Sequence, residues 1–300
     1  MTHYKGIHHI TSIAGDPQGN YDFYVKTLGM RLSLKSVNQD DPGTYHFFFT
    51  NANGEPGSSL TFFPWKNIIN AQHGSGEASS VSFAVAPGSL ESWKDHFREN
   101  EVSFDEPFEQ FGRNVLPFKD HDGSFLRLVE DTSLNASSTA IQGFWGTTLL
   151  LASGIQTEKI LTTLLGFEKV ASEGRKTLYQ TNAPIGHSVI IEKPEMPFPG
   201  RMGKGSIHHV AFRMESEEEQ LQIRQKLMEM GFQPTEVIDR HVFKSVYFRT
   251  PDGVLFELAT DGPGYHSVTG DQDPARVLFL PPWLEEHREN IEAALPGIDI

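Results

Sequence analysis

Apolar runs of strand length recur along the chain in groups, and in each group one stretch with helical spacing follows the first run. The first run covers residues 7–13 and predicts a strand. Asp16-Pro17 then offers an N-cap and a proline for the first helical position. Tyr21, Tyr24, Val25 and Leu28 keep helical spacing, and Gly29 ends the helix. Strands are expected at 31–37, 45–49 and 58–63, with Gly54-Glu55-Pro56-Gly57 as the turn between the last two.

The same order of elements returns three times. A second copy starts at Ala78, with a strand at 81–85 and a helix capped by Ser89 that turns Leu90, Trp93 and Phe97 inward. Its strands at 115–119 and 125–129 flank His121-Asp122-Gly123. Residues 131–140 are small and polar and read as a domain linker. A third copy starts near Ile141 and predicts strands at 176–181 and 187–192, before a second, proline-rich linker at 192–201. The fourth starts at Ser206. Ser216 and Glu219 form a capping box there, and Leu221, Leu227 and Met228 are the expected apolar stripe of the helix. Strands follow at 235–238, 245–249 and 254–259, with Pro251-Asp252-Gly253 echoing His121-Asp122-Gly123. Repeats of this kind decide the fold. The expected division is an N-terminal domain at 1–133 (copies 4–66 and 78–133), a C-terminal domain at 141–262 (copies 141–193 and 205–262) and a tail at 263–300. The tail carries a helical run at 285–295. It fits a structural role, a dimer contact or a lid, and structural docking is the expectation.

Three hundred residues suffice for two domains with sizeable cores. A formal charge of −14 argues against a nucleic-acid partner. No apolar run reaches the length of a membrane span, and the polar start is no signal peptide. The chain has no cysteine, so thiol nucleophiles, thiolate metal sites and disulfides are excluded, and a cytoplasmic location is expected.

Candidate chemistry sits in two histidine doublets at equivalent places, His8-His9 and His208-His209. Neighbours in a strand face opposite sides, so one histidine of each pair can reach a shared interior. The second of each is expected there, because Ile10 and Val210 continue the two strands identically. His8 and His208 point away unless the strand is twisted or bulged. A carboxylate inside an apolar strand, Glu257, completes a set of two histidines and one acid. Such a set leaves positions open and suits a non-haem Fe(II) oxygenase, while Mn(II) or Zn(II) would also accept these donors. Aligning the two Asp-Gly turns sets Arg127 opposite Glu257, with Ser80 or Val81 replacing a histidine, so the second copy carries no ligands. If His9 and Glu257 share a metal, the first and fourth copies must lie side by side. On spacing alone Arg240 is a surface arginine and Tyr247 a core tyrosine. His46, His73, His96, His121, His187, His266 and His287 read as structural or solvated.

GIHHIT, SIHHVAFR and PDGVLFELAT, set on four such units, resemble the vicinal oxygen chelate superfamily. With DPGTYHFFF, GEPG, LTFFPW and FLPPWLEEHR added, the chain is similar over nearly its whole length to bacterial hydroquinone-type ring-cleaving dioxygenases. The resemblance implies an α+β fold of four βαβββ modules in two incomplete barrels. It implies Fe(II) held by His9, His209 and Glu257, and a pocket that includes His8, Thr11, His208, Arg240 and Tyr247. His8, His208 and Tyr247 would move protons, and Arg240 would steady a charged oxygen. A fourth ligand of the glyoxalase branch falls near Thr61, which is no carboxylate. The implied partners are O2 and a small phenolic substrate, in aromatic catabolism or quinone detoxification, with a homodimer left open. The competing functions are a Mn(II)-, Ni(II)- or Zn(II)-dependent isomerase or thiol transferase, and a non-catalytic binder of planar drugs or quinones.

Overall fold

A computed structural model describes residues 5–134 and 138–300. Residue 4, the expected start of the first copy, and residues 135–137 of the link at 131–140 lie outside the described residues. The first copy comprises β1 (Ile7–Ala14), α1 (Pro17–Tyr21), β2 (Arg31–Asn38), β3 (Asp41–Thr50) and β4 (Ser59–Pro64). The second has β5 (Glu77–Val85), α2 (Leu90–Glu99), β6 (Phe108–Gln110), β7 (Arg113–Lys119) and β8 (Phe125–Glu130). The third has β9 (Gly143–Leu150), α3 (Ile155–Thr163), β10 (Glu168–Glu173), β11 (Lys176–Gln180) and β12 (Ser188–Glu192). The fourth has β13 (Ile207–Met214), α4 (Glu217–Glu229), β14 (Ile238–Asp239), β15 (Lys244–Arg249) and β16 (Leu255–Thr260). Each copy is a βαβββ unit, and the whole is the α+β arrangement of two curled half-barrels.

Two eight-stranded sheets result. One runs β14-β15-β16-β13-β1-β4-β3-β2 and joins the first and fourth copies; the other runs β10-β11-β12-β9-β5-β8-β7-β6 and joins the second and third. At the centre of the first sheet β1 and β13 are antiparallel, each flanked by a parallel strand, β4 or β16. The link at 131–140 therefore connects strands of one sheet. The crossings between sheets are 65–76 and 193–206, which run together through bridges such as Gln72–Arg201 and Ser75–Pro199. The sheets are tied where Ile7 N donates to Gly186 O and Phe144 N to Gly57 O, both at 2.8 Å. Gly186 has φ +68°, and a Cβ there would lie 2.9 Å from Ile7 O, so only glycine permits this approach.

Some local expectations fail for tertiary reasons. The first helix keeps its N-cap, with Asp16 accepting from Gly19 N, but after Tyr21 it widens into a π-helix over Asp22–Thr27. Leu227 on α4 is buried as expected, but Leu221 and Met228 are about half exposed, at 50% and 45%, and Gln220 and Ile223 are buried in their place. The Gln220 amide donates to Lys244 O at 2.9 Å and Leu258 O at 2.8 Å, and these bonds set the rotation of the helix. The strand expected at 235–238 shrinks to Ile238–Asp239. The tail forms a 3-10 turn, Pro282–His287, followed by α-helix Arg288–Ala294. It docks on the first copy: Tyr265 OH meets Ser59 Oγ at 2.7 Å, Phe279 N donates to Lys35 O at 2.9 Å, and Tyr45 OH donates to Pro296 O at 2.9 Å. Phe279 is buried beside Leu34, Phe48 and Phe243.

Candidate metal centre and its cavity

Both histidine doublets lie on bulges. Across the β1–β13 pair Ile7 faces Phe212 and His9 faces Ala211, so His8 is one residue too many. Thr11 faces His209 and Ser12 faces Ile207, so His208 is the extra residue on the other strand. A bulge interrupts the alternation of side chains. Each pair accordingly turns to one side. His8 Nδ1 lies 2.9 Å from His9 Nδ1, and His208 Nδ1 lies 2.8 Å from His209 Nδ1. The first histidine of each doublet thus holds the Nδ1 of the second, which fixes the second ring and leaves its Nε2 facing inward.

Glu257 pairs with Ala211 across β13–β16, and this register carries its side chain to the two rings. Its Oε2 lies 3.2 Å from His9 Nε2 and 2.9 Å from His209 Nε2, and the two Nε2 atoms are 3.3 Å apart. The three residues are 1%, 4% and 0% exposed in the order His9, His209, Glu257. Ser245 Oγ donates to Glu257 Oε1 at 2.5 Å. Burial pushes the His209 imidazole down, towards the neutral form whose lone pair can be donated. Burial would raise Glu257, but the His9 and His209 rings beside its Oε2 outweigh it and hold the carboxyl well below the usual range. Among the described residues nothing donates a hydrogen bond to Glu257 Oε2, although it is fully buried. Three lone-pair donors converging on one point, two nitrogens and an oxygen, fit a divalent transition metal better than they fit one another.

The set opens on a cavity of about 410 Å³. Leu34, Val37, Phe48, Phe63, Trp65, Phe243 and Leu255 supply apolar walls, and His46, His208, Arg240 and Tyr247 supply the polar points. Phe243 stacks on His9 with centroids 4.9 Å apart. The Arg240 guanidinium sits 5.4 Å above the Tyr247 ring, and its Nη2 donates to Asp40 Oδ2 at 3.1 Å. Burial, with Glu257 nearby, raises the Tyr247 phenol and keeps it a proton donor. Burial and His209 push His208 down to about 3.

His208, Arg240 and Tyr247 thus line the cavity, whereas spacing alone makes Arg240 a surface residue. His8 and Thr11 do not line it. His8 stands behind His9, edge-on to Phe243 at 5.2 Å. Thr11 Oγ1 meets Thr61 Oγ1 at 2.7 Å, and Thr61 Oγ1 meets His46 Nε2 at 3.0 Å. His46 is the pocket residue that sequence reasoning misses by reading it as structural. A signal was present: His46 and Phe48 alternate onto one face of β3, and β3 pairs with the strand that carries Thr61.

The βαβββ copies, the bulged central strands and the enclosed His–His–Glu set define one class of protein. The chain belongs to the Glyoxalase/Bleomycin resistance protein/Dioxygenase superfamily, whose model matches residues 6–128 and 157–258. Among its relatives is the "Putative ring-cleaving dioxygenase MhqO" of Bacillus subtilis, 37% identical over 98% of this chain and 97% of that protein. The "Chlorohydroquinone/hydroquinone 1,2-dioxygenase" of Sphingobium indicum is 30% identical over 91% of this chain and 89% of its own length. A crystal structure titled as a putative dioxygenase from Bacillus subtilis superposes with a TM-score of 0.91 at 36% identity, covering 100% of this chain and 99% of that one. Glyoxalase I from Zea mays shares the fold, with a TM-score of 0.64 at 13% identity over 86% of this chain and 92% of its own. Among the described residues no helix is long and apolar enough to cross a membrane.

Proposed function

We propose that this chain is a ring-cleaving dioxygenase that uses Fe(II) to insert both atoms of O2 into a hydroquinone- or catechol-like phenol. The observation that carries the reading is a three-donor set, His9, His209 and Glu257, facing an aromatic-walled cavity. Three protein ligands leave room for both a phenol oxygen and O2. The names of the relatives agree with this choice. Bound there, Fe(II) would acidify the phenol and couple the electron-rich ring to O2.

The protein's own part is orientation, dryness and proton handling. Phe48, Phe63 and Trp65 flank a planar ring and exclude water from it. Arg240 faces the developing charge on the ring oxygen, with Asp40 holding the guanidinium in place. Tyr247, kept protonated, donates a hydrogen bond from the side of Glu257. His208, kept neutral with its Nδ1 lone pair taken up by His209 Nδ1, offers its Nε2–H as a hydrogen-bond donor to the ring oxygen. His8 keeps His9 oriented through the Nδ1 contact. Thr11 reaches the cavity only through Thr61 and His46.

The test is O2 uptake by anaerobically purified, Fe(II)-loaded protein given a panel of hydroquinones and catechols, with a Mn(II)-loaded control. Uptake equal to the loss of aromatic absorbance is expected with Fe(II), and Glu257→Gln should abolish it while lowering metal content. No uptake with any phenol despite full metal loading overturns the reading in favour of an O2-independent isomerase or thiol transferase.

A further inference from the structure

The second half-barrel repeats the geometry of the first with different side chains. Arg127 pairs with Ser82 across β5–β8 as Glu257 pairs with Ala211 across β13–β16. Ser82 in turn faces Gly146, as Ala211 faces His9, and Ser80 faces Thr148, as His209 faces Thr11. The bulges persist at Ser79 and Trp145. Register therefore sets Arg127 in the place of Glu257, Ser80 in the place of His209 and Gly146 in the place of His9. Two imidazoles and a carboxylate have given way to a hydroxyl, a hydrogen and a guanidinium, and the charge of the site is inverted.

That guanidinium is poorly matched within the protein. Among the described residues only its Nη1 makes hydrogen bonds, to Gln110 Oε1 at 3.2 Å and Thr148 Oγ1 at 3.4 Å, both long. Among the described residues no carboxylate lies within ion-pair distance of it. Glu192 offsets the cost of burying Arg127 only in part, and its Oε2 is 3.7 Å from Lys176 Nζ. Among the described residues the Oγ of Ser80, itself 2% exposed, has no hydrogen-bond partner. Both residues border a cavity of about 260 Å³ whose walls include Phe108, Phe118 and Phe125. Lys119 stands at the rim, its Nζ 4.7 Å from the Phe125 ring centroid. Asp105 and Glu192 also border the cavity, and they disfavour ligands with more than one negative charge.

We infer that this second cavity binds a small monocarboxylate with an aromatic or apolar body. The carboxylate engages the free face of Arg127 and the Ser80 hydroxyl, and the body lies against Phe108 and Phe125. A guanidinium fork matches a carboxylate in two-point geometry, and a desolvated hydroxyl supplies a third contact. The site needs no metal and is separate from the His9–His209–Glu257 cavity.

Benzoate is the probe, titrated calorimetrically into the full chain, with and without a chelator and with and without excess methylhydroquinone under anaerobic conditions. One-to-one binding indifferent to both additions is expected, and benzyl alcohol should give no heat. Arg127→Met should weaken binding about tenfold or more, as loss of a charge-assisted contact does. Lys119→Glu changes an exposed side chain with little risk to folding, and should weaken binding by about threefold. Equal affinity in the wild type and both variants overturns the inference. So does binding abolished by the chelator or by the phenol, which assigns benzoate to the metal cavity.

Discussion

At the scale of single residues, the candidate site is held by atoms that do not themselves face the cavity. Ser245 Oγ fixes Glu257 Oε1 at 2.5 Å and so aims Oε2 at the two imidazoles. Ser245→Ala should loosen that aim and weaken metal binding by roughly 10- to 100-fold, the usual cost of losing such a support. Competition against a coloured chelator measures it, and an unchanged affinity would deny the hydrogen bond this role. His9, His209 and Glu257 were legible in the sequence because each sits at a polar break in an apolar strand. His46 was not, since its relevance depends on a 3.0 Å approach to Thr61 across a sheet. Arg240 was misjudged from spacing for the same kind of reason. Its partner Asp40 is 200 positions away and reaches it only after the first and fourth copies pair.

At the scale of elements, most strands and the repeat itself could be read from alternation and turn residues, but bulges could not. A bulge is defined by a miscount between two strands, and a single strand carries no record of its partner. The π-turn after Tyr21 and the rotation of α4 are likewise settled by packing. Gly146 shows how tightly the central strands are fitted. A Cβ there would fall 2.0 Å from Ser188 O on the adjoining β12 backbone, which no side-chain rotation relieves. Gly146→Ala should therefore cost about 3 kcal/mol, towards the upper end of overpacking penalties, and Gly43→Ala, at an exposed position, should cost little. Denaturant midpoints compare the two, and equal midpoints would show that β9 and β12 can part freely.

At the scale of the molecule, buried neutral histidines make stability depend on pH. Burial lowers the pKa of His187, against a partial rise from Asp131, and His8, His46 and His208 shift in the same direction for the same first reason. The unfolded chain takes up protons near pH 6.5, and the folded one only at lower pH. The contribution of these four histidines is thus complete above about pH 6.5 and falls below it, with each unmatched proton costing about 1.4 kcal/mol per pH unit. Urea unfolding of metal-free protein between pH 7.5 and 5.5 should show this fall. His187→Asn, remote from the metal set, should make it shallower by one group; an unchanged slope would mean that His187 does not contribute.

The two outer copies of the chain meet in one sheet, and this has a consequence for synthesis. His9 leaves the ribosome early, and Glu257 follows 248 residues later, the difference of their positions. Until β13 arrives, β1 has β4 on one side and an open edge on the other. A chain arrested halfway exposes that edge to wrong partners, and it carries one donor of the three. An unfinished polypeptide is therefore unarmed: it cannot bring the three donors together before the walls of their cavity have been translated.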